Sequence, residues 1–340
     1  MLPAKTGSRL PTGCFKPPLM VSTLRAPIPV LSIRQLSPSD FAPALGRSFR
    51  DHGFAIIADH GIDRDLLTRA WDLTARFFAL PDECKQRYHI EGGAGQRGYT
   101  PFGREIAKGA IAHDLKEFWH IGREAEPDGP LPSGMPANIW PEELPEFRSC
   151  FTRLFEEFDH LGARLLSAVA TDLGLEPDWF SSPTHQGNSI LRLLHYPPMS
   201  CDMTAEPGAV RAGAHEDINL ITLLLGAEEA GLQLLDKAGR WVDINPPEGA
   251  LVVNIGDMLQ RLTNHLLPST THRVVNPSRE RQATSRYSMP FFLHLRPDFS
   301  IDALPGCVSA DNPRRDPPIT ADDYLKQRLR EIGLTDKKAG

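Results

Sequence analysis

Apolar residues change their spacing near Pro183, and the change divides the chain into a helical half and a strand-rich half. From Asp63 to Phe78 the positions Leu66, Leu67, Ala70, Leu73, Phe77 and Phe78 recur at helical spacing, and Pro81 ends the pattern. Between about Leu144 and Leu173, the residues Phe151, Leu154, Phe158, Leu161, Leu165 and Val169 share one face and predict a second long helix. Phe41, Leu45 and Phe49 predict a shorter one that Gly53 stops. Ile28 to Leu31 and Phe54 to Ile57 read as short strands, Asp59-His60-Gly61 as a turn, and the glycine-rich stretch Gly92 to Gly109 as a loop.

Beyond Pro183 come short apolar runs separated by Gly, Pro and Asn: Ile190 to Tyr196, Leu220 to Leu225, Leu232 to Leu235, Leu251 to Ile255, Thr271 to Val275 and Tyr287 to Leu293. Such spacing predicts a sandwich or barrel covered by the helices of the first half, hence an α+β fold. The expected organisation is a flexible N-terminal arm over 1–27, a mainly helical region over 28–183, a strand-rich core over 184–300, and a C-terminal helix and tail over 301–340. Met20 is a second candidate start within the arm.

Composition narrows the function classes. With 340 residues, 41% hydrophobic and 24% charged, the chain is long enough for a sizeable core. Its 37 basic and 43 acidic residues give a net charge of −6 with no run of like sign, which argues against a nucleic-acid partner. Five cysteines without a Cys-x-x-Cys pair suggest neither a disulfide framework nor a zinc ribbon, so a reducing cytoplasm is the expected location. No apolar stretch has the length of a signal peptide or a membrane span, and no membrane partner is expected. The expectation is a monomer or weak homo-oligomer acting on a small molecule.

The candidate chemistry lies entirely in the strand-rich half. In a strand, residues i and i+2 point to one face, so His215 and Asp217 can grip one metal ion while Glu216 points away. In Thr271-His272-Arg273-Val274 the same alternation turns His272 inward as a third ligand. Two imidazoles and one carboxylate occupying part of an octahedron, with the other positions open, is the donor set of non-haem Fe(II) oxygenases. A solvated His215–Asp217 pair at a strand end is the plainer alternative, but it leaves His272 and Arg286 unexplained. Arg286 and Ser288 also share a strand face between apolar neighbours. A buried guanidinium calls for an anionic partner, and its planar fork matches a carboxylate, to which a hydroxyl two residues on adds a hydrogen bond.

Taken together, these strings resemble the isopenicillin N synthase-like branch of the Fe(II)- and 2-oxoglutarate-dependent dioxygenases. The resemblance covers about residues 28 to 300 and includes Leu191-Arg192-Leu193-Leu194-His195-Tyr196-Pro197-Pro198, His215-Glu216-Asp217, Val253-Asn254-Ile255-Gly256-Asp257-Met258, Thr271-His272-Arg273-Val274 and Arg286-Tyr287-Ser288. In the first half it includes Asp59-His60-Gly61-Ile62, Gly98-Tyr99 and Asp114-Leu115-Lys116-Glu117. It implies a double-stranded β-helix (jelly-roll) core, Fe(II) on His215, Asp217 and His272, 2-oxoglutarate and O2 as co-substrates, and ascorbate as reductant. It further implies that Arg286 and Ser288 bind the distal carboxylate of 2-oxoglutarate, helped by Tyr196. Many relatives have Asn where this chain has Leu194, so that polar contact to the co-substrate is expected to be either missing or replaced, with Arg192 the candidate replacement.

Within this family the expected reaction is oxidation of a small organic substrate, with hydroxylation foremost, coupled to conversion of 2-oxoglutarate to succinate and CO2. Tyr99 and Glu105 are the expected substrate-facing residues; as a packed ring and a solvated carboxylate they have an equally ordinary reading. An ethylene-forming or 2-oxoglutarate-independent oxidase of the same family remains an alternative, as does a non-catalytic ligand-binding jelly roll. A zinc hydrolase is disfavoured, because His215-Glu216-Asp217-Ile218-Asn219 lacks the second His of His-Glu-x-x-His.

Overall fold

Fourteen strands and seven α-helices are formed by the residues that the computed structural model describes, namely 28–93, 95–104, 114–125, 135–199, 210–225, 231–276 and 282–331. The expected N-terminal arm, the end of the tail and Glu105 lie outside them. The strands are β1 (Val30–Ser32), β2 (Phe54–Ala58), β3 (Gly98–Thr100), β4 (Glu117–Gly122), β5 (Ile190–Tyr196), β6 (Ala212–His215) and β7 (Ile221–Leu225), followed by β8 (Leu232–Leu235), β9 (Trp241–Asp243), β10 (Leu251–Ile255), β11 (His272–Val274), β12 (Arg286–Leu293), β13 (Ser300–Ile301) and β14 (Ile319–Thr320). The helices are α1 (Pro38–His52), α2 (Arg64–Phe78), α3 (Asp82–Gln86), α4 (Phe147–Asp172), α5 (Ser181–Thr184), α6 (Asp257–Leu262) and α7 (Ala321–Glu331).

Local chemistry sets the helix ends. The Ser37 hydroxyl accepts from the Asp40 amide at the start of α1, and Gly53 closes that helix at φ 69°, a left-handed conformation that suits glycine. Asp63 caps α2 in the same way, accepting from the Asp65 amide.

An eight-stranded sheet runs in the order β1-β2-β10-β7-β12-β5-β4-β3, and a four-stranded sheet runs β6-β11-β8-β9. The outer face of the large sheet is packed by helices. Phe291 of β12 lies edge-on to Phe155 of α4 at 5.0 Å and stacks on Phe158 at 5.5 Å. Gly162 permits this approach of helix to sheet, since a Cβ there would fall 2.3 Å from Leu293 Cδ1. A second apolar cluster joins the two sheets, with Phe54, Ile56 and Val252 on one side and Ala212, Leu232, Leu234 and Val274 on the other.

Strand pairing determines which side chains line the space between the sheets. Arg286 pairs with Tyr196, Ser288 with Leu194, and Phe292 with Thr222. Leu194 in turn pairs with Phe118, and Thr222 with Asn254, so this whole set shares the inner face.

Two expectations need correction, and one strand was not foreseen. The loop expected over 92–109 contains β3, which pairs with β4; its glycines mask a three-residue strand. β4 escapes notice because Glu117 and His120 interrupt its apolar pattern. β6 ends at His215, so Asp217 lies just past the strand that was expected to carry both. Among the described residues no helix is long and apolar enough to cross a membrane.

Candidate active site

β6 and β11 run antiparallel and place His215 opposite His272, with ring centroids 4.5 Å apart. The Nε2 atoms of His215 and His272 lie 3.6 and 3.7 Å from Asp217 Oδ1, and the three ligand atoms all fall within 4.8 Å of one another. The chain turns after His215 and is held there by the Asp257 amide, which donates to the Asp217 carbonyl at 2.8 Å. The carboxylate thus reaches the same point that strand alternation would have given it.

Hydrogen bonds orient all three groups. Nδ1 of His215 lies 2.7 Å from the Gly213 carbonyl, and Nδ1 of His272 lies 3.1 Å from the Thr270 carbonyl. A carbonyl only accepts, so in the neutral form of each ring Nδ1 carries the proton and Nε2 keeps its lone pair for a metal. Asp217 Oδ2 accepts from Asn254 Nδ2 at 2.8 Å and from the Thr222 hydroxyl, which leaves Oδ1 facing the imidazoles. Thr222 itself accepts from Asn219 Nδ2 at 2.8 Å.

Protonation states match this role. Burial alone would raise the Asp217 carboxyl, but the two imidazoles and the Asn254 and Thr222 hydrogen bonds hold it below the usual carboxylate range. Burial lowers the His272 imidazole despite the pull of Asp217, keeping it neutral. Two imidazole nitrogens and one carboxylate oxygen fit a ferrous ion, and no thiolate is present in the cluster to favour a softer metal. The His215 side chain is 35% exposed, which leaves an approach on that side of the cluster.

Arg286 and Ser288 are both buried and lie on the inner face of the large sheet, where the guanidinium carbon stands 5.0 Å from the Tyr196 ring centroid. The structure therefore brings Arg286, Ser288 and Tyr196 together as the sequence suggests. Arg192 lies on the same face further along β5, between the rings of Phe118 at 4.2 Å and Phe292 at 5.3 Å, with Nε donating to His120. Tyr99 is not brought there. It pairs with Trp119, sits in the helix-covered core on the opposite face, and donates its hydroxyl to Glu117. This placement gives its ring the packing role and not the expected substrate-facing one.

Sequence reasoning missed Thr222 and Asn254, the groups that orient Asp217. Each is a lone polar residue inside an apolar strand run, and that was the available signal.

Comparison with known proteins agrees with this geometry. Residues 28–143 match the family model described as non-haem dioxygenase in morphine synthesis N-terminal, and residues 187–295 match the 2OG-Fe(II) oxygenase superfamily. A 2-oxoglutarate-Fe(II) type oxidoreductase of Emericella nidulans is 37% identical over 287 residues, covering 81% of this chain and 80% of its own length. The crystal structure of a 2OG-Fe(II) oxygenase family protein from Caulobacter crescentus is 52% identical, with a TM-score of 0.82 over 90% of this chain and 99% of that one. A full-length Neurospora crassa protein, solved in complex with alpha-KG and thymine, is 32% identical with a TM-score of 0.78 over 89% and 96% of the two chains. The chain belongs to the 2OG-Fe(II) oxygenase superfamily and is a 2-oxoglutarate-dependent dioxygenase.

Proposed function

We propose that this enzyme hydroxylates a small organic substrate, with Fe(II) held by His215, Asp217 and His272 and the distal carboxylate of 2-oxoglutarate held by Arg286 and Ser288. The observation that carries the reading is the convergence of two lone-pair-bearing Nε2 atoms on Asp217 Oδ1. The placement of Arg286 and Ser288 on the inner face of the facing sheet supports the second half of it. The two sheets, joined by their own apolar cluster, support a double-stranded β-helix as the core.

Bound at this centre, ferrous iron supplies the oxygen chemistry that couples loss of CO2 from 2-oxoglutarate to oxidation of a C–H bond. The protein contributes position and exclusion of water. Arg286 is a fixed cation at a buried site, worth far more to a carboxylate there than in bulk water. Ser288 adds a hydroxyl donor, and Tyr196 walls the guanidinium on one side. The Gly213 and Thr270 carbonyls keep the imidazole protons on Nδ1, so no protein group competes for the ligand lone pairs. No protein nucleophile is required.

Phe118, Phe292 and Arg192 line the same inner face and support a substrate with a flat, polar framework. The thymine complex of the Neurospora crassa protein makes thymine a rational first probe. Enzyme supplied with Fe(II), ascorbate, 2-oxoglutarate and 18O2 would be tested against a panel of heterocycles that includes thymine, with mass spectrometry of the products. Substrate-dependent succinate together with an 18O-labelled product is the expected result. Ethylene in the headspace without a hydroxylated product would replace hydroxylation with the ethylene-forming reaction.

A further inference from the structure

We propose that the buried segment Asp114–Glu117 positions both halves of the active site, Asp114 through His215 and Glu117 through Arg286. The inference rests on the ligand and clamp assignments above and adds residues that touch neither metal nor co-substrate.

Asp114, Lys116 and Glu117 are each about 5–6% exposed, so three charged side chains are buried within four residues. Such burial is costly unless every charge is matched. Asp114 Oδ2 lies 2.8 Å from Lys116 Nζ, while its Oδ1 accepts from the Gly213 amide at 2.9 Å. That amide is set apart by a bulge. Between the pairs His272–His215 and Val274–Ala212, β6 holds Gly213 and Ala214 where β11 holds only Arg273. A bulge disrupts the ladder locally and re-aims the side chains beside it. Here Asp114 supplies an acceptor for the Gly213 amide, and the Gly213 carbonyl takes the His215 Nδ1 proton in a hydrogen bond. The Leu115 amide donates to the Val210 carbonyl at 3.1 Å, so the segment also grips the chain entering β6.

Glu117 points to the other face of the large sheet. Its Oε2 accepts from Lys85 Nζ at 2.9 Å and from the Tyr99 hydroxyl, and its Oε1 lies 2.7 Å from His195 Nδ1. His195 Nε2 is 3.0 Å from the hydroxyl of Ser285, the residue before Arg286. The His195 ring also stacks on Tyr287 at 4.8 Å, and Tyr287 stands between Arg286 and Ser288. The clamp residues therefore face inward from a strand whose outer side is bound to Glu117 through His195.

The two arms make separable predictions. Fe(II) affinity would be measured by anaerobic equilibrium dialysis, 2-oxoglutarate affinity by calorimetry on Mn(II)-saturated protein, and thermal midpoints recorded for every variant. Asp114→Ala is expected to weaken Fe(II) binding about 10–100-fold and leave 2-oxoglutarate affinity unchanged. Asp114→Asn keeps an oxygen acceptor for the Gly213 amide and is expected to retain most Fe(II) affinity. Glu117→Gln cannot accept from Lys85, Tyr99 and His195 at once, and is expected to weaken 2-oxoglutarate binding roughly 3–30-fold with wild-type Fe(II) affinity. Ser285→Ala, a milder cut in the same arm, is expected to act in the same direction. Parallel loss of both affinities in either arm, or wild-type values for both in Asp114→Ala and Ser285→Ala, would overturn the positioning roles. Wild-type enzyme that bound neither Fe(II) nor 2-oxoglutarate would instead overturn the ligand and clamp assignments on which they rest.

Discussion

His215 and His272 stand directly opposite one another across the β6–β11 ladder, each with its Nδ1 on the carbonyl two residues earlier in its own chain. Each imidazole supplies its own ligand nitrogen to the cluster, so neither can stand in for the other. His272→Ala is expected to abolish tight Fe(II) binding and turnover while leaving the fold intact. Metal content after anaerobic loading and desalting, compared with circular dichroism of the same sample, checks both parts.

Arg286 is buried at the first position of β12. Arg286→Ala should cost about 2–5 kcal/mol of 2-oxoglutarate binding, the usual loss when one partner of a buried charged pair is truncated. The KM for 2-oxoglutarate should rise by roughly 30-fold or more. Arg286→Lys keeps the charge but loses the planar fork, so its KM should fall between the two. An Arg286→Ala enzyme with wild-type KM would remove Arg286 from the co-substrate site.

Much of this was legible in the sequence, for reasons that differ by residue. β5, β8 and β10 coincide with their apolar runs because apolar residues dominate all three, with few polar interruptions. His215, Asp217 and His272 were legible because ligand chemistry restricts residue type. β4 was not, since its Glu117 and His120 are polar residues satisfied by partners distant in sequence, Lys85 among them. Tyr99 was misread for the same reason: whether an aromatic residue faces substrate or core depends on which side of the sheet the β3–β4 pairing turns it to. Asn254 and Thr222 carried a signal, but that Asp217 is their shared target emerges only from the pairing of β10 with β7.

Glu117 also predicts a pH dependence. Burial raises its carboxyl, but hydrogen bonds from His195, Tyr99 and Lys85 outweigh burial and hold it below its ordinary value of 4.5. A carboxyl depressed on folding stabilises the native state above the unfolded value, and that stability is lost as pH falls through the folded one. Lys85 is shifted upward from 10.5 by Glu117 and Asp82 against the opposing effect of burial, so its contribution is present below that value and lost as pH rises past it. Urea unfolding of the wild type should therefore weaken with a steeper slope below about pH 4.5 than that of Glu117→Gln. Identical slopes would mean that the carboxylate is not stabilised by folding.

The contact of Phe291 with Phe155 and Phe158 anchors α4 to the sheet that carries Arg286 and Ser288. Phe291→Ala should destabilise the protein by about 3–5 kcal/mol, as cavity formation at a fully buried phenylalanine does. Denaturant titration measures this directly. A loss below about 1 kcal/mol would show that the site collapses around the smaller side chain.

Succinate formation tests the central claim most directly. Purified enzyme with Fe(II), ascorbate, 2-oxoglutarate and a substrate from the heterocycle panel is expected to consume O2 and yield succinate in equal amounts, with no succinate from His272→Ala under identical conditions. Fe(II)-loaded wild type that binds 2-oxoglutarate yet forms no succinate with any substrate offered, or a His272→Ala variant as active as wild type, would contradict it.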